Sequence, residues 1–292
     1  MNELPLPDAV CIGASKCGTT SLHYYLHAHP EIGVPRQKEV HFFLDPGNWH
    51  RGTEWYRAQF PAARVLVESF GGGYTHYPVQ RGVPRRMAEV LPQGKFIYMV
   101  RDPIERMLSR YVHNICECLD FAEPEEAFGG DPLNNPYIAE SLYAMQLERF
   151  REHFDDDRFL VVEYEDFRHR RRETVQGIFR FLGVDEGFWS PDFEVVRHPT
   201  AGKRRKSDFG VALHRHFGRH ALAGLGRLPL PMRAQRWVMH RGDQALYWLF
   251  SRPMERPLLA PALRARLIDV FRPDVERLEA FTGRRFAHWL SA

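Results

Sequence analysis

Apolar residues gather in four short runs that lack polar alternation: Val10-Cys11-Ile12-Gly13-Ala14, Val65-Leu66-Val67, Phe96-Ile97-Tyr98-Met99-Val100 and Phe159-Leu160-Val161-Val162. Short continuous runs are what strands covered on both faces look like, so each predicts a strand of a parallel sheet. Between them the period changes. Val175, Ile178, Phe179 and Leu182 recur at helical spacing, and Gly183 supplies a C-terminal stop. Another helix is expected over about 21–29, ended by Pro30. The first run, a polar loop and that helix follow one another as an α/β fold opens. The expected fold is a central parallel sheet flanked by helices, with ligands bound at the carboxyl ends of its strands.

The stretch 207–261 breaks this rhythm. It is rich in Arg, His and Pro and carries Trp237, Tyr247, Trp248 and Phe250. It reads as a helical insertion or lid within one domain spanning 1–292, and equally as a contact between two copies of the chain. From Ala262 to Trp289 the pattern is helical again.

Composition narrows the field. Apolar residues make up 44% and charged residues 26%, which fits a packed globular chain. The net charge of +3 is too balanced for a nucleic-acid coat, so anion binding must be local. Residues 1–8 carry acids and prolines rather than a targeting pattern, and no apolar stretch reaches the roughly 20 residues a bilayer requires. Cys11, Cys17, Cys116 and Cys118 offer no zinc or redox spacing, so free thiols in a reducing cytoplasm are expected.

Two strand-to-helix junctions carry candidate chemistry. The first is Gly13-Ala14-Ser15-Lys16-Cys17-Gly18-Thr19-Thr20. Small residues let backbone N–H groups approach an anion, the helix start adds partial positive charge, and Lys16 adds a full one. The Walker order would place the lysine after the second glycine, whereas Lys16 precedes Gly18. The second junction begins at Arg101. Asp102 is suited to cap a helix and Pro103 to open it, with Arg106, Ser109 and Arg110 on one face. Arg106 and Arg110 read equally as anion ligands or as an exposed basic surface.

Together, the Gly13, Lys16, Gly18, Thr19, Thr20 loop and the Arg101-Asp102-Pro103, Arg106, Ser109, Tyr111 series resemble the paired signature of PAPS-dependent sulfotransferases. PAPS is 3′-phosphoadenosine 5′-phosphosulfate. The resemblance is strongest to the heparan-sulfate type, and includes Lys38-Glu39-Val40-His41-Phe42-Phe43, Ser141-Leu142-Tyr143, Glu163-Tyr164-Glu165-Asp166-Phe167 and the segment from Phe271 to Phe286. It implies a P-loop-like nucleotide-binding fold. It assigns the 5′-phosphosulfate to Lys16, Cys17, Gly18, Thr19, Thr20 and Ser21, and the 3′-phosphate to Arg101 and Ser109. A looser match puts Lys203 and Arg204 over the nucleotide. The family's usual lysine after the second strand is missing: Glu68 is followed by Ser69-Phe70-Gly71-Gly72-Gly73-Tyr74.

The implied reaction is transfer of a sulfuryl group from PAPS to a hydroxyl of a carbohydrate, lipid or small metabolite, releasing PAP and needing no metal. Lys16 would neutralise the leaving oxygen. By resemblance Glu39 is the base, whereas His41 has the better-matched unperturbed pKa. An extended segment would put both on one face. His23, His27 and His29 read as exposed or capping residues. A P-loop phosphotransferase would want Walker order and a Walker B carboxylate, and a non-catalytic PAP-binding protein would want the base lost.

Overall fold

Each of the four apolar runs is a strand in the computed structural model, which describes residues 4–44, 47–69, 71–194, 204–206 and 251–291. They are β1 (Ala9–Gly13), β3 (Val65–Ser69), β4 (Lys95–Val100) and β5 (Phe159–Glu163). A fifth, β2 (Ile32–Gly33), is two residues long and too short to leave a pattern. All pair in parallel in the order β2-β3-β1-β4-β5. The chain leaves β1 toward one edge and later crosses back to its other side. This makes the carboxyl end of β1 the topological switch point, where parallel sheets hold ligands. Ala9 through Ile12 and Phe96 through Val100 are fully buried, so the central strands are the core.

Helices occupy the connections: α1 (Thr19–Ala28), α2 (Gly52–Arg57), α3 (Val83–Val90), α4 (Pro103–Cys116), α5 (Pro124–Ala127), α6 (Pro136–Ala139), α7 (Tyr143–Arg151), α8 (Tyr164–His169), α9 (Arg171–Leu182) and α10 (Pro261–Thr282). In α9 the buried side chains are Val175, Ile178, Phe179 and Leu182, and Gly183 closes it in the left-handed region, as the spacing predicts. Asp274 of α10 accepts hydrogen bonds from Ala144 N and Met145 N, each 2.9 Å long. Two otherwise unpaired donors of α7 are thereby satisfied from far along the chain.

The chain forms two compact units, Met1–Arg110 with Pro124–His198 and Leu259–Ala292, and Tyr111–Glu123 with Pro199–Leu258. In the second, Arg204–Lys206 is a strand (β6) pairing antiparallel with β7 (Ser251–Pro253). Of the stretch expected to be a helical insertion or lid, 207–250 lies outside the described residues. Residues 251–253 are strand and 254–260 carry no regular structure. No helix of the described residues is long and apolar enough to cross a membrane.

One ionisable group is built into the core. Glu68 has no solvent exposure; it accepts hydrogen bonds from Tyr56 Oη and, at 2.7 Å, from Tyr74 Oη. Burial raises its pKa to about 7 against the opposing pull of the two hydroxyls. The folded form therefore holds a proton that the unfolded form has lost above the ordinary carboxylate range. This contribution is full below the unfolded value and disappears as pH rises through about 7. At about 1.4 kcal/mol per unit it approaches about 3 kcal/mol. Glu68→Gln should remove it: urea unfolding from pH 5 to 8 should show wild type losing more stability than the variant. Parallel curves would contradict the assignment.

Candidate active site

The loop after β1 turns inward before it opens toward α1. Ala14 N donates to Met99 O at 2.7 Å, tying the loop to β4. Lys16 has φ 70° and is partly exposed, while Cys17 beside it is fully buried. Burial raises the Cys17 thiol to about 12, so it stays protonated, and its N–H donates to Ala14 O at 3.3 Å. The Cys17 side chain packs the core, so any contact it makes with a ligand of the loop would be through its backbone. Gly18 has φ 87°, a left-handed conformation that glycine adopts without strain. A Cβ there would also stand 2.9 Å from Tyr164 Cδ2. Thr19 is buried at the first position of α1, with Thr20 and Ser21 partly exposed behind it.

The second junction forms as its residue types dictate. Asp102 Oδ1 accepts from Ile104 N at 2.8 Å and Glu105 N at 3.1 Å, with Pro103 opening α4. Arg101 leaves β4 beside this cap, its side chain 15% exposed. It donates to Glu105 Oε2 at 3.1 Å and lies 4.9 Å over the Tyr164 ring. Its Nε is buried without a hydrogen-bond acceptor, 4.0 Å from Glu165 Oε1. Ser109 is 8% exposed on α4.

Arg106 settles the question left open by helical spacing. It is not on a basic surface; it has no solvent exposure and is surrounded by acceptors. Its Nε donates to Ser141 Oγ at 2.6 Å, Nη1 to Glu140 Oε2 at 2.9 Å and Nη2 to Tyr137 O at 2.5 Å. A longer contact of 3.4 Å reaches Ser15 Oγ in the loop. Burial pushes the Glu140 pKa up, but Arg106, His76 and Arg110 outweigh it and hold the carboxyl below its ordinary value. His76 Nε2 stands 3.3 Å from Glu140 Oε1 on the other side.

Lys38, Glu39 and His41 reach the same region. His41 has φ 54°, so the segment turns there rather than running extended as expected. The two side chains still converge, with His41 Nε2 3.8 Å from Glu39 Oε2 and both about two-fifths exposed. Lys38 Nζ donates to Thr20 Oγ1 at 3.0 Å and lies 3.6 Å from Glu39 Oε1. At the end of β3, Ser69 Oγ is hydrogen-bonded to His23 Nδ1. His29, expected exposed or capping, does end α1 but is buried, its Nε2 2.9 Å from Asp185 O.

The structure thus brings Lys16, Gly18, Thr19, Thr20, Glu39 and His41 around the ends of β1 and β3, and Arg101 to the end of β4. Arg204 lies in the second unit, its Nε donating to Ser251 Oγ at 2.8 Å. Lys203 lies outside the described residues. Tyr164 and Ser141 lie on segments that carry the resemblance, but the packing of the Tyr164 ring against Gly18 and Arg101 and the burial of Arg106 among Tyr137, Glu140 and Ser141 leave no signature in the sequence. Among the described residues no group of three metal-ligating side chains comes together.

The geometry is that of a parallel α/β sheet with a glycine-containing loop carrying Lys16 at its switch point and Arg101 at the end of the neighbouring strand. The chain belongs to the sulfotransferase family, whose domain matches residues 6–192. Over 231 residues it is 26% identical to bifunctional heparan sulfate N-deacetylase/N-sulfotransferase 2 of Bos taurus, covering 68% of this chain and 26% of that protein. It therefore spans about a quarter of that relative's length. It is 28% identical over 195 residues to heparan sulfate glucosamine 3-O-sulfotransferase 5 of Homo sapiens, covering 61% and 54%. The crystal structure of a sulfotransferase from Alicyclobacillus acidocaldarius superimposes with a TM-score of 0.67 at 25% identity, covering 98% of this chain and 100% of that one.

Removing the guanidinium of Arg106 would strand the Glu140 carboxylate in the interior, a change that costs about 3–5 kcal/mol. Arg106→Ala should show that loss in denaturant unfolding, whereas Arg110→Ala, partly exposed and acting on Glu140 only through its charge, should cost clearly less. Equal losses would contradict the burial argument.

Proposed function

We propose that this sulfotransferase takes its sulfuryl group from PAPS and passes it in line to a hydroxyl or amine of an acceptor, releasing PAP. The observation that carries this reading is the Tyr164 ring. It packs against Gly18 of the first pocket and lies under Arg101 of the second, fixing the spacing between two anion holders. A nucleotide with anionic groups at both its 5′ and 3′ ends would bridge the two, with the Nε of Arg101, which lacks a hydrogen-bond acceptor, donating to the 3′-phosphate.

The loop N–H groups and Thr19 hold the 5′ anion, while Arg101 and Ser109 hold the 3′ end. Lys16 neutralises the bridging oxygen as it takes the electron pair of the breaking S–O bond. Glu39 accepts the acceptor's proton as the new bond to sulfur forms, with His41 at 3.8 Å to share it. Charge spreads over peripheral oxygens, so positioning and electrostatics dominate, as in phosphoryl transfer. Walker order fails at Lys16, which disfavours a phosphotransferase. Glu39 and His41 are both present, which disfavours a non-catalytic PAP-binding protein.

The names of the relatives support a sugar-bearing acceptor; a lipid or small metabolite is the alternative outcome of an acceptor screen. The cysteines are thiols rather than disulfides, three of the four buried, which supports work in a reducing cytoplasm.

Calorimetry with PAP and AMP tests the donor. Arg101→Ala should weaken PAP by tenfold or more and leave AMP within about twofold; equal losses would remove the 3′-phosphate role. Glu39→Gln should bind PAP normally while PAPS-dependent transfer to a desulfated polysaccharide falls about 10²–10⁴-fold. If that variant stays active and His41→Ala does not, His41 is the base.

A further inference from the structure

Between the start of α3 and the body of α7 lies a cavity of about 300 Å³, none of whose lining residues is assigned to donor or acceptor above. That volume stands at the lower end of the range for small organic ligands. The walls are of two kinds. Tyr77 and Pro84 supply apolar surface, whereas Arg81, Arg85 and Arg149 supply positive charge against a single lining carboxylate, Glu152.

The charge is held in a fixed arrangement. The guanidinium carbon of Arg149 lies 5.4 Å over the Tyr77 ring and that of Arg81 lies 6.0 Å over it, within reach of cation–π attraction. Tyr77 is itself clamped, its N–H donating to Gln146 Oε1 at 2.9 Å and its carbonyl accepting from Gln146 Nε2 at 2.7 Å. Two of the arginines meet acids, Arg149 Nη1 at 2.8 Å from Glu152 Oε1 and Arg85 Nη1 donating to Glu89 Oε1 at 2.5 Å. Even so, the Nε of Arg149 is buried without a hydrogen-bond partner, a costly state for a charged donor unless something accepts from it. Gly82 caps α3 without a side chain and no acid stands in the first turn, so the helix end adds partial positive charge to the same wall. That wall adjoins the acceptor side. Arg86, buried behind Arg85, donates from Nε to Phe43 O at 2.8 Å and from Nη2 to Arg81 O at 3.0 Å, fastening the 81–85 turn to the segment that carries Glu39 and His41.

We propose that this cavity is a further ligand site, and that it takes a small ring-bearing oxyanion, a sulfate or phosphate monoester of a ring-sized alcohol. Arg149 Nε and the neighbouring guanidiniums donate to the oxyanion, while Tyr77 and Pro84 pack against the ring. A bare inorganic anion would engage the charge but leave most of the volume and all of the apolar wall unused. The inference goes beyond the PAPS reading and does not need it, because none of the residues assigned to the nucleotide lines this cavity.

Calorimetric titration with phenyl sulfate, glucose 6-sulfate and inorganic sulfate tests it. At least one ester should bind wild type roughly tenfold or more tightly than inorganic sulfate, and whichever is tighter identifies the ring as aromatic or sugar. Arg149→Gln should weaken that ester by roughly tenfold or more, the effect of one lost charge-assisted hydrogen bond, with PAP affinity within about twofold of wild type. Arg149→Lys, which keeps the charge but not the fork, should recover only part of the loss. Arg85→Gln, an exposed substitution, should weaken the same ester and keeps the test alive if Arg149→Gln folds poorly. Ester affinities unchanged in Arg149→Gln and Arg85→Gln would overturn the proposal, as would inorganic sulfate binding as tightly as both esters or no ester binding at all.

Discussion

A guanidinium with no contact with solvent holds the strand ends in place. Arg106 joins α4 to Tyr137, Glu140 and Ser141 through short hydrogen bonds and touches Ser15 of the anion loop. Burying an ion pair is costly, and its attraction compensates only when geometry is good and the remaining donors are satisfied. Here Nε, Nη1 and Nη2 each find an acceptor, so the pair is tolerated and its breaking is expensive. The consequence for function is rigidity: the loop after β1 and the helix after β4 are fastened to one another from beneath before any ligand arrives. Were the proposed anion site to lie here, it would stabilise charge without having to reorganise.

Above that fastening the pockets are spaced by packing. Tyr164, at the end of β5, fills the gap between Gly18 and Arg101. The glycine run 71–73 lies along the loop on the other side: a Cβ on Gly72 would sit 3.4 Å from Ser15 Cβ, and one on Gly71 would meet Thr19, Glu39 and Lys38. Neighbouring groups press on both flanks, leaving no space for a Cβ at Gly18 or at Gly71.

The sheet was legible because fully covered strands leave uninterrupted apolar runs, and α9 because its buried side chains keep helical spacing up to Gly183. The β2 pairing left no trace in two residues. The loop residues were legible as types, since lysine, glycine and threonine between strand and helix suit an anion, but their directions were not. Cys17 faces inward and Lys16 takes a left-handed backbone, neither of which a residue pattern specifies. Arg106 shows the same limit more sharply. An arginine on a helix face reads as surface until its acceptors are known, and those come from residues 137–141, far away in sequence. The turn at His41 was likewise invisible, yet it still brings the imidazole to 3.8 Å from the Glu39 carboxylate.

The most direct test of the account is a crystal structure with PAP bound. The 5′-phosphate should lie in the 13–20 loop, the 3′-phosphate should accept from Arg101 and Ser109, and Tyr164 should remain packed against Gly18. A 3′-phosphate beyond hydrogen-bonding reach of Arg101, with the nucleotide held elsewhere on the protein, would contradict it.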